Sequence, residues 1–227
     1  MTNTNPEISI NKLGEFLFAS AAKKRSILKT FKFPSTFKIA RYSTPKSAFV
    51  DYMLDEHHDT NIFKLKRELV LLRKADTPWK VNTIQCCLQA IEDLLQCTGL
   101  HLVPYLQYKA QAGLPRGTKS RNIENVTVHI APDIILLDKK TQKIAGGIKL
   151  VFSKSRAVDF QEGVAISCIV KDHIEKIYGA PVSGNNCITI DVFHRRCIPA
   201  SENAKPIADQ VKKACREISE LWPTIPN

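Results

Sequence analysis

Ile134-Ile135-Leu136-Leu137 is, with Leu69-Val70-Leu71-Leu72, the longest purely aliphatic run in the chain, and Pro132-Asp133 stands directly before it. The polar stretch 138–143 (DKKTQK) follows as a turn. An apolar run this short, closed at both ends, reads as a strand covered on both faces. It is far below the roughly 20 apolar residues that a membrane span needs. A doubly covered strand requires helices, and the flanking sequence offers them. Residues 159–178 predict a helix with Ile166, Ile169, Val170, Ile174 and Ile177 inward. A last helix carries Ile207, Val211, Ala214, Ile218 and Leu221. Alternation at Val126, Val128 and Ile130, the run 144–152 crossed by Gly146-Gly147, and the segment 187–193 after Gly184-Asn185-Asn186 predict strands. Residues 105–112 are a further strand candidate.

The period differs ahead of this region. Ser20 caps a predicted helix through Leu28. Thr44-Pro45 opens another to about Leu54, with Ala48, Phe49 and Tyr52 on one side. Thr60 caps a third, in which Phe63, Leu65, Leu69 and Leu72 are helically spaced. Pro78 interrupts, and Ile84, Leu88, Ile91 and Leu95 then form a stripe ending near Gly99. From residue 81 the order is helix, three strands, helix, strand, helix. The expected fold class is therefore α/β, a central mixed sheet flanked by helices, with a helical N-terminal lobe. At 227 residues the chain suits a domain with a smaller attached lobe. The lobe is expected over residues 1–80 and the α/β core over 81–227.

Charge points to a polyanion. The chain carries 33 Lys plus Arg against 22 Asp plus Glu, a net charge of +11. Three segments hold no acid at all. The first contains Lys23, Lys24, Arg25, Lys29, Lys32, Lys38, Arg41 and Lys46; the second Lys109, Arg116, Lys119 and Arg121; the third Lys139, Lys140, Lys143, Lys149, Lys154 and Arg156. Acid-free basic segments suggest a surface that faces nucleic acid. Lys23, Lys24, Arg25, Lys29, Arg116, Lys119, Arg121, Lys154 and Arg156 are the expected contacts. Aromatics interleave the first segment (Phe16, Phe18, Phe31, Phe33, Phe37, Tyr42, Phe49), and the Phe residues are read as core. The odd count of seven Cys fits reduced thiols. Residues 1–11 are polar, without a secretory pattern, so a cytoplasmic location with no membrane partner is expected.

Several chemistries fail on spacing. His57-His58 are adjacent, so their rings diverge. Cys86, Cys87 and Cys97 read as core thiols, and Cys187, His194 and Cys197 lack zinc-site spacing. No P-loop, dinucleotide fingerprint or nucleophile elbow is present.

One constellation remains. Asp133 opens the buried strand and Lys149 lies in the next one, so a hairpin brings the two together. A carboxylate that holds a hard divalent cation, beside a Lys that stabilises developing charge, is the apparatus of metal-assisted phosphodiester cleavage. Strand alternation leaves a second orientation for Lys149, into solvent. Pro132-Asp133, a gap, then Gly147-Ile148-Lys149 resembles the motif of the PD-(D/E)xK nuclease superfamily. The resemblance covers roughly residues 81 to 200. It implies a restriction-endonuclease-like αβββαβ core, Mg²⁺ or Mn²⁺ as cofactor, and a role in prokaryotic defence or restriction. It implies Asp133 and Glu162 as metal ligands and Lys149 as the catalytic cation. Gly147 departs from the family, which usually places Asp or Glu there. Glu162, from the following helix, or Glu92, from the preceding one, is the expected replacement ligand. If neither reaches the metal, the chain binds nucleic acid without cutting it. DNA is expected ahead of RNA, and a homodimer or a partner subunit of a larger system fits a duplex substrate. Two non-enzymatic readings stand beside the nuclease: a nucleic-acid-binding or scaffold subunit on a degenerate fold, and a protein-interaction module with a basic face.

Overall fold

The computed structural model describes residues 2–34 and 41–226; Phe37 and Lys38 lie outside them. The chain begins with a short strand, β1 (Glu7–Ser9), and helix α1 (Ile10–Leu17). Helix α2 (Ala21–Lys32) follows, capped by the Ser20 hydroxyl, which accepts from the Lys23 amide at 3.4 Å. Then come α3 (Ser43–Leu54), α4 (Asn61–Leu71) and α5 (Pro78–Cys97). Pro78 starts α5 instead of interrupting a helix. It occupies the first turn, where the missing N–H has no intrahelical partner anyway, and Thr77 Oγ1 accepts from the Lys80 amide at 3.2 Å. The expected helix after Thr60 is α4, in which Phe63 is buried while Leu65, Leu69 and, just past its end, Leu72 face solvent.

The second half contains β2 (Lys109–Ala112), β3 (Ser120–Ile123), β4 (Val126–His129), β5 (Ile134–Leu137) and β6 (Ile144–Val151). Helix α6 (Phe160–Tyr178), β7 (Cys187–Asp191), β8 (Arg196–Pro199) and α7 (Lys205–Leu221) complete it. Asp159 caps α6 by accepting from the Gln161 amide at 2.9 Å, and Gly179 ends it at φ 66°. The main sheet has the order β2-β5-β6-β7-β8. Its β5–β6 pair is antiparallel and its β6–β7 pair parallel, with α6 as the crossover. The mixed α/β sheet with flanking helices is thus as expected. The elements α5, β2, β5, β6, α6 and β7 follow one another in αβββαβ order. The β3–β4 hairpin is inserted between β2 and β5. Its turn, Glu124-Asn125, has φ of 48° and 65° at the two positions.

Two apolar layers sandwich the main sheet. Ile134, Leu136, Ile148, Leu150, Ile188 and Ile190 meet α3, α4 and α5, while Ile135, Val151 and Cys187 share the layer of α1, α6 and α7. A second sheet, β1-β4-β3, lies in the latter layer. β1 pairs in parallel with β4, Ile8 opposite Val128, and Gly14 of α1 seats against Ile166 of α6. Ile8, Ile10, Leu13 and Phe16 therefore share one apolar core with α6.

Gly146 and Gly147 are places of close approach. A Cβ at Gly146 would lie 2.1 Å from the Asn186 carbonyl oxygen, a backbone atom that cannot rotate away. Gly146→Ala is expected to cost about 3 kcal/mol in a urea melt, as overpacking against fixed backbone does. His173 of α6 is buried, and its Nε2–H donates to the Thr118 carbonyl at 2.7 Å. Burial holds its pKa below the ordinary imidazole value. The unfolded chain then takes up the proton first, so this contribution is complete at neutral pH and is lost as pH falls below about 6.5. His173→Gln keeps a donor and removes the titration. Its melting temperature should fall less than that of the wild type between pH 7 and pH 5.

Candidate nucleic-acid interface

The hairpin β5–β6 brings Asp133 and Lys149 together, as the sequence spacing predicts. The Asp133 amide donates to the Ile148 carbonyl at 2.8 Å, which fixes the register at the mouth of β5. Its carboxylate is buried. Oδ2 accepts from the Leu150 amide at 2.7 Å and from Lys149 Nζ at 3.1 Å. Lys149 also donates to the Ala131 carbonyl at 2.8 Å, so its ammonium is turned inward and only 12% of its side chain is exposed. Oδ1 accepts no well-aligned hydrogen bond, but it is ion-paired with the Lys46 ammonium, which reaches in from α3. One buried carboxylate thus sits between two lysines. The role of Lys46 has no local sequence signal; packing of α3 over the sheet creates it.

The other expected carboxylates are engaged elsewhere. Glu162, in the first turn of α6, is buried in a bidentate pair with Arg156, at 2.8 Å and 3.1 Å. The pair raises the Arg156 pKa, chiefly through the hydrogen bond to Glu162. Glu92 is exposed and accepts from Gln96 at 3.4 Å. The inward acid of α5 is the next residue, Asp93, which accepts from Gln89 at 3.1 Å and lies 3.7 Å from Arg195. Burial raises the Asp93 pKa. Among the described residues, no three His, Cys, Asp or Glu side chains gather as a metal-binding group. Asp133, Glu162 and Glu92 do not form the expected ligand set. Mg²⁺ takes six oxygens, and a protein site for it supplies one or two carboxylates that are free to ligate. Here one candidate carboxylate is held by two lysines, one by an arginine, and one faces solvent. These residues do not fit Mg²⁺ or Mn²⁺.

Gly147 shows why the family's usual acid has no room. Its Cβ would lie 2.7 Å from Ile174 Cδ1 and 3.2 Å from the Ile134 carbonyl oxygen. The position faces the packed side of α6. Gly147→Glu would push a carboxylate into the Ile174–Val170 layer and is expected to destabilise by about 3 kcal/mol without creating metal affinity, as urea unfolding and calorimetric Mn²⁺ titration would show.

Beyond Lys149 the strand runs on into a cleft. Residues 151–156 form one wall, Asn11, Lys12 and Glu15 of α1 another, and Arg41 and Tyr42 the third; the cleft holds about 440 Å³. Asn11 ties α1 to the strand by donating to the Leu150 carbonyl at 3.5 Å. Four cations and two carboxylates line it. Glu162 is neutralised by Arg156, and Glu15 by Lys12 and Lys23. Burial would raise the Glu15 pKa, but the two lysines outweigh it and hold it low. Arg41 and Lys154 remain without a carboxylate partner among the described residues. Arg41 lies over the Trp79 ring at 6.0 Å. Tyr42 stacks on Phe152 at 4.8 Å, and Phe193 meets Tyr42 edge-on at 5.6 Å.

The expected nucleic-acid contacts do not all converge. Lys154 and Arg156 line the cleft, joined by Lys12 and Arg41. Lys24 pairs with Glu217 at 2.7 Å, Arg121 with Asp172 at 2.7 Å, and Lys23 with Glu15 at 3.2 Å. Arg25, Lys29, Arg116 and Lys119 are exposed. Phe16 and Phe49 are core residues, as expected, whereas Phe18 is 43% exposed. No family model matches the chain, and a search of curated proteins found no relative. No described helix is long and apolar enough to cross a membrane.

Proposed function

We propose that this chain binds nucleic acid, DNA ahead of RNA, in the basic cleft at the end of β6, and that it does so without cutting. It acts as a binding or scaffold subunit on a fold that resembles the PD-(D/E)xK nucleases. The observation that carries this reading is the ion cluster at Asp133. The carboxylate that the motif assigns to a metal has two ammonium partners, Lys46 and Lys149, with a cleft of surplus positive charge directly beyond. Arg41, Lys154 and Lys12 meet phosphates there, and each phosphate neutralised releases counterions. Tyr42 and Phe152 already stack on each other, so they floor the cleft and brace Arg41 instead of offering a free face to a base.

The test measures binding and cutting side by side. Fluorescence anisotropy with single-stranded DNA, duplex DNA and RNA of one sequence is run in Mg²⁺ and again in EDTA. The expected result is binding that needs no metal and is no tighter in Mg²⁺ than in EDTA, a linear fall of log K with log salt, and intact oligonucleotides after incubation with Mg²⁺ or Mn²⁺. Absence of binding at low salt overturns the reading. So does metal-dependent cleavage that disappears in a folded Asp133→Asn variant, which would put the metal nuclease in its place.

A further inference from the structure

We propose that the outer edge of β3 accepts an extended segment of a partner protein, alternating apolar and acidic residues, as a fourth strand of the smaller sheet. That sheet has the order β1-β4-β3, so β3 ends it. β3 pairs with β4 in antiparallel register, Arg121 opposite Val128 and Ile123 opposite Val126. At the next pair of this register the Ile130 amide donates to the Lys119 carbonyl at 2.7 Å. Hydrogen-bonded pairs alternate along such a ladder, so Lys119, Arg121 and Ile123 turn their backbone groups to β4, while Ser120 and Asn122 turn theirs outward. Thr127, opposite Asn122, obeys the same alternation: its amide faces away from β3 and donates to the Pro6 carbonyl at 2.9 Å. Ser120 and Asn122 are exposed, and their amides and carbonyls have no backbone partner among the described residues. An edge of this kind is a template for another strand.

A groove of about 510 Å³ runs along that edge. Both faces of β3 line it, the buried one through Ile123 and the exposed one through Asn122, so it lies beside the strand and not over it. Helices α6 and α7 form the other walls, and Ile169, Ile207, Ala208 and Val211 give it an apolar floor. The carboxylates around it are already held. Asp172 is paired with Arg121 at 2.7 Å and Lys176 at 2.9 Å, Glu124 with Arg216 at 3.0 Å, and Glu175 with Lys171 at 2.7 Å. Arg216 holds the Glu124 pKa low, with a smaller contribution from Lys212. Lys205 and Lys212 line the groove from one side of α7, are exposed, and form no ion pair among the described residues. A strand laid here sets one alternate row of side chains on the apolar floor and leaves the other row to the two lysines. Apolar residues suit the first row, and Glu or Asp the second. A second copy pairing β3 with β3 would instead bring its own Lys119 and Arg121 to a rim whose spare charges are positive. Nucleic acid offers phosphates to the lysines but no strand to the edge.

The probe is a short, labelled, monomeric peptide of alternating valine and glutamate. Its controls carry Lys in place of Glu, or Ser in place of Val. Two further versions are N-methylated, one on the valine amides and one on the glutamate amides. Anisotropy should show the parent peptide binding at least about tenfold more tightly than either control, a difference of one decade in Kd. A strand presents only one alternate set of amides to a given edge, so one methylated version should bind as the parent does and the other should lose at least about tenfold. Lys205→Glu/Lys212→Glu should reverse the preference towards the Lys peptide. Ala208→Phe, which fills the groove from its floor, should lose the peptide while keeping the wild-type melting temperature and nucleic-acid affinity. Equal binding of acidic and basic peptides, equal effects of the two methylations, or no binding at all overturns the proposal. A concentration-dependent dimer in sedimentation that Ala208→Phe abolishes also overturns it, because the occupant would then be a second copy.

Discussion

Arg41→Glu combined with Lys154→Glu is expected to weaken nucleic-acid binding by roughly 100-fold at moderate salt and to flatten the log K against log salt slope by about 2. Both side chains line the cleft, and neither has a carboxylate partner among the described residues. Their charge is therefore available to phosphates, whereas that of Lys12 and Arg156 is partly committed to Glu15 and Glu162. Arg41 also contributes its carbonyl to the Cys87 thiol, but that contact belongs to the backbone and survives the substitution. The melting temperature should hold, which separates a binding defect from a folding defect. Lys205→Glu with Lys212→Glu serves as the matched control. These residues line a different groove, between β3, α6 and α7, and their reversal should change affinity by about threefold or less, the size of a long-range electrostatic effect. Salt-dependent anisotropy on the two double variants checks both statements.

The second large effect concerns stability. Asp133→Ala should destabilise the fold by about 3–5 kcal/mol, because it strands the inward ammonium of Lys149 and leaves the Leu150 amide without its acceptor. Lys46→Ala should cost about 1 kcal/mol or less, since nearly half of that side chain is in water and its end of the pair is screened. Asp133→Leu with Lys149→Met removes both charges together and should recover the part of the loss due to the stranded ammonium, while the Leu150 amide stays without its acceptor. Chemical denaturation of wild type, Asp133→Leu, Lys149→Met and the double variant gives the coupling energy directly. Additive losses would mean that Asp133 and Lys149 do not act as a pair.

The residues around Asp133 were readable where geometry is local. A tight hairpin converts a gap of strands and turn into contact, so Pro132-Asp133 and Lys149 met as expected. Helix α6 was equally plain, because its Asp159 cap and apolar stripe agree. Glu92 failed by one step of a helix. The inward face of α5 runs through Cys86, Ala90, Asp93, Leu94 and Cys97, while Ile84, Leu88 and Leu95 are only partly buried. Small residues mark the tightest packing there, and a search for large aliphatics turns the helix by about one residue. β1 was invisible for a different reason. Three residues cannot display a period, and the partner strand lies in the other half of the chain. Lys46 likewise acquires its meaning only when α3 closes over the sheet.

The parallel pairing of β1 with β4 has a consequence for biosynthesis. Ile8, Ile10, Leu13 and Phe16 emerge from the ribosome more than a hundred residues ahead of Val126 and Val128, which share their core. At synthesis rates of about 5–20 residues per second, that apolar segment waits roughly 6–24 s for its strand. Long-range pairing also closes slowly once both partners exist. The nascent chain therefore carries this apolar segment without its partner strand until β4 has been made. Holdase chaperones acting early, and slower translation, should decide how much of the product reaches the folded state.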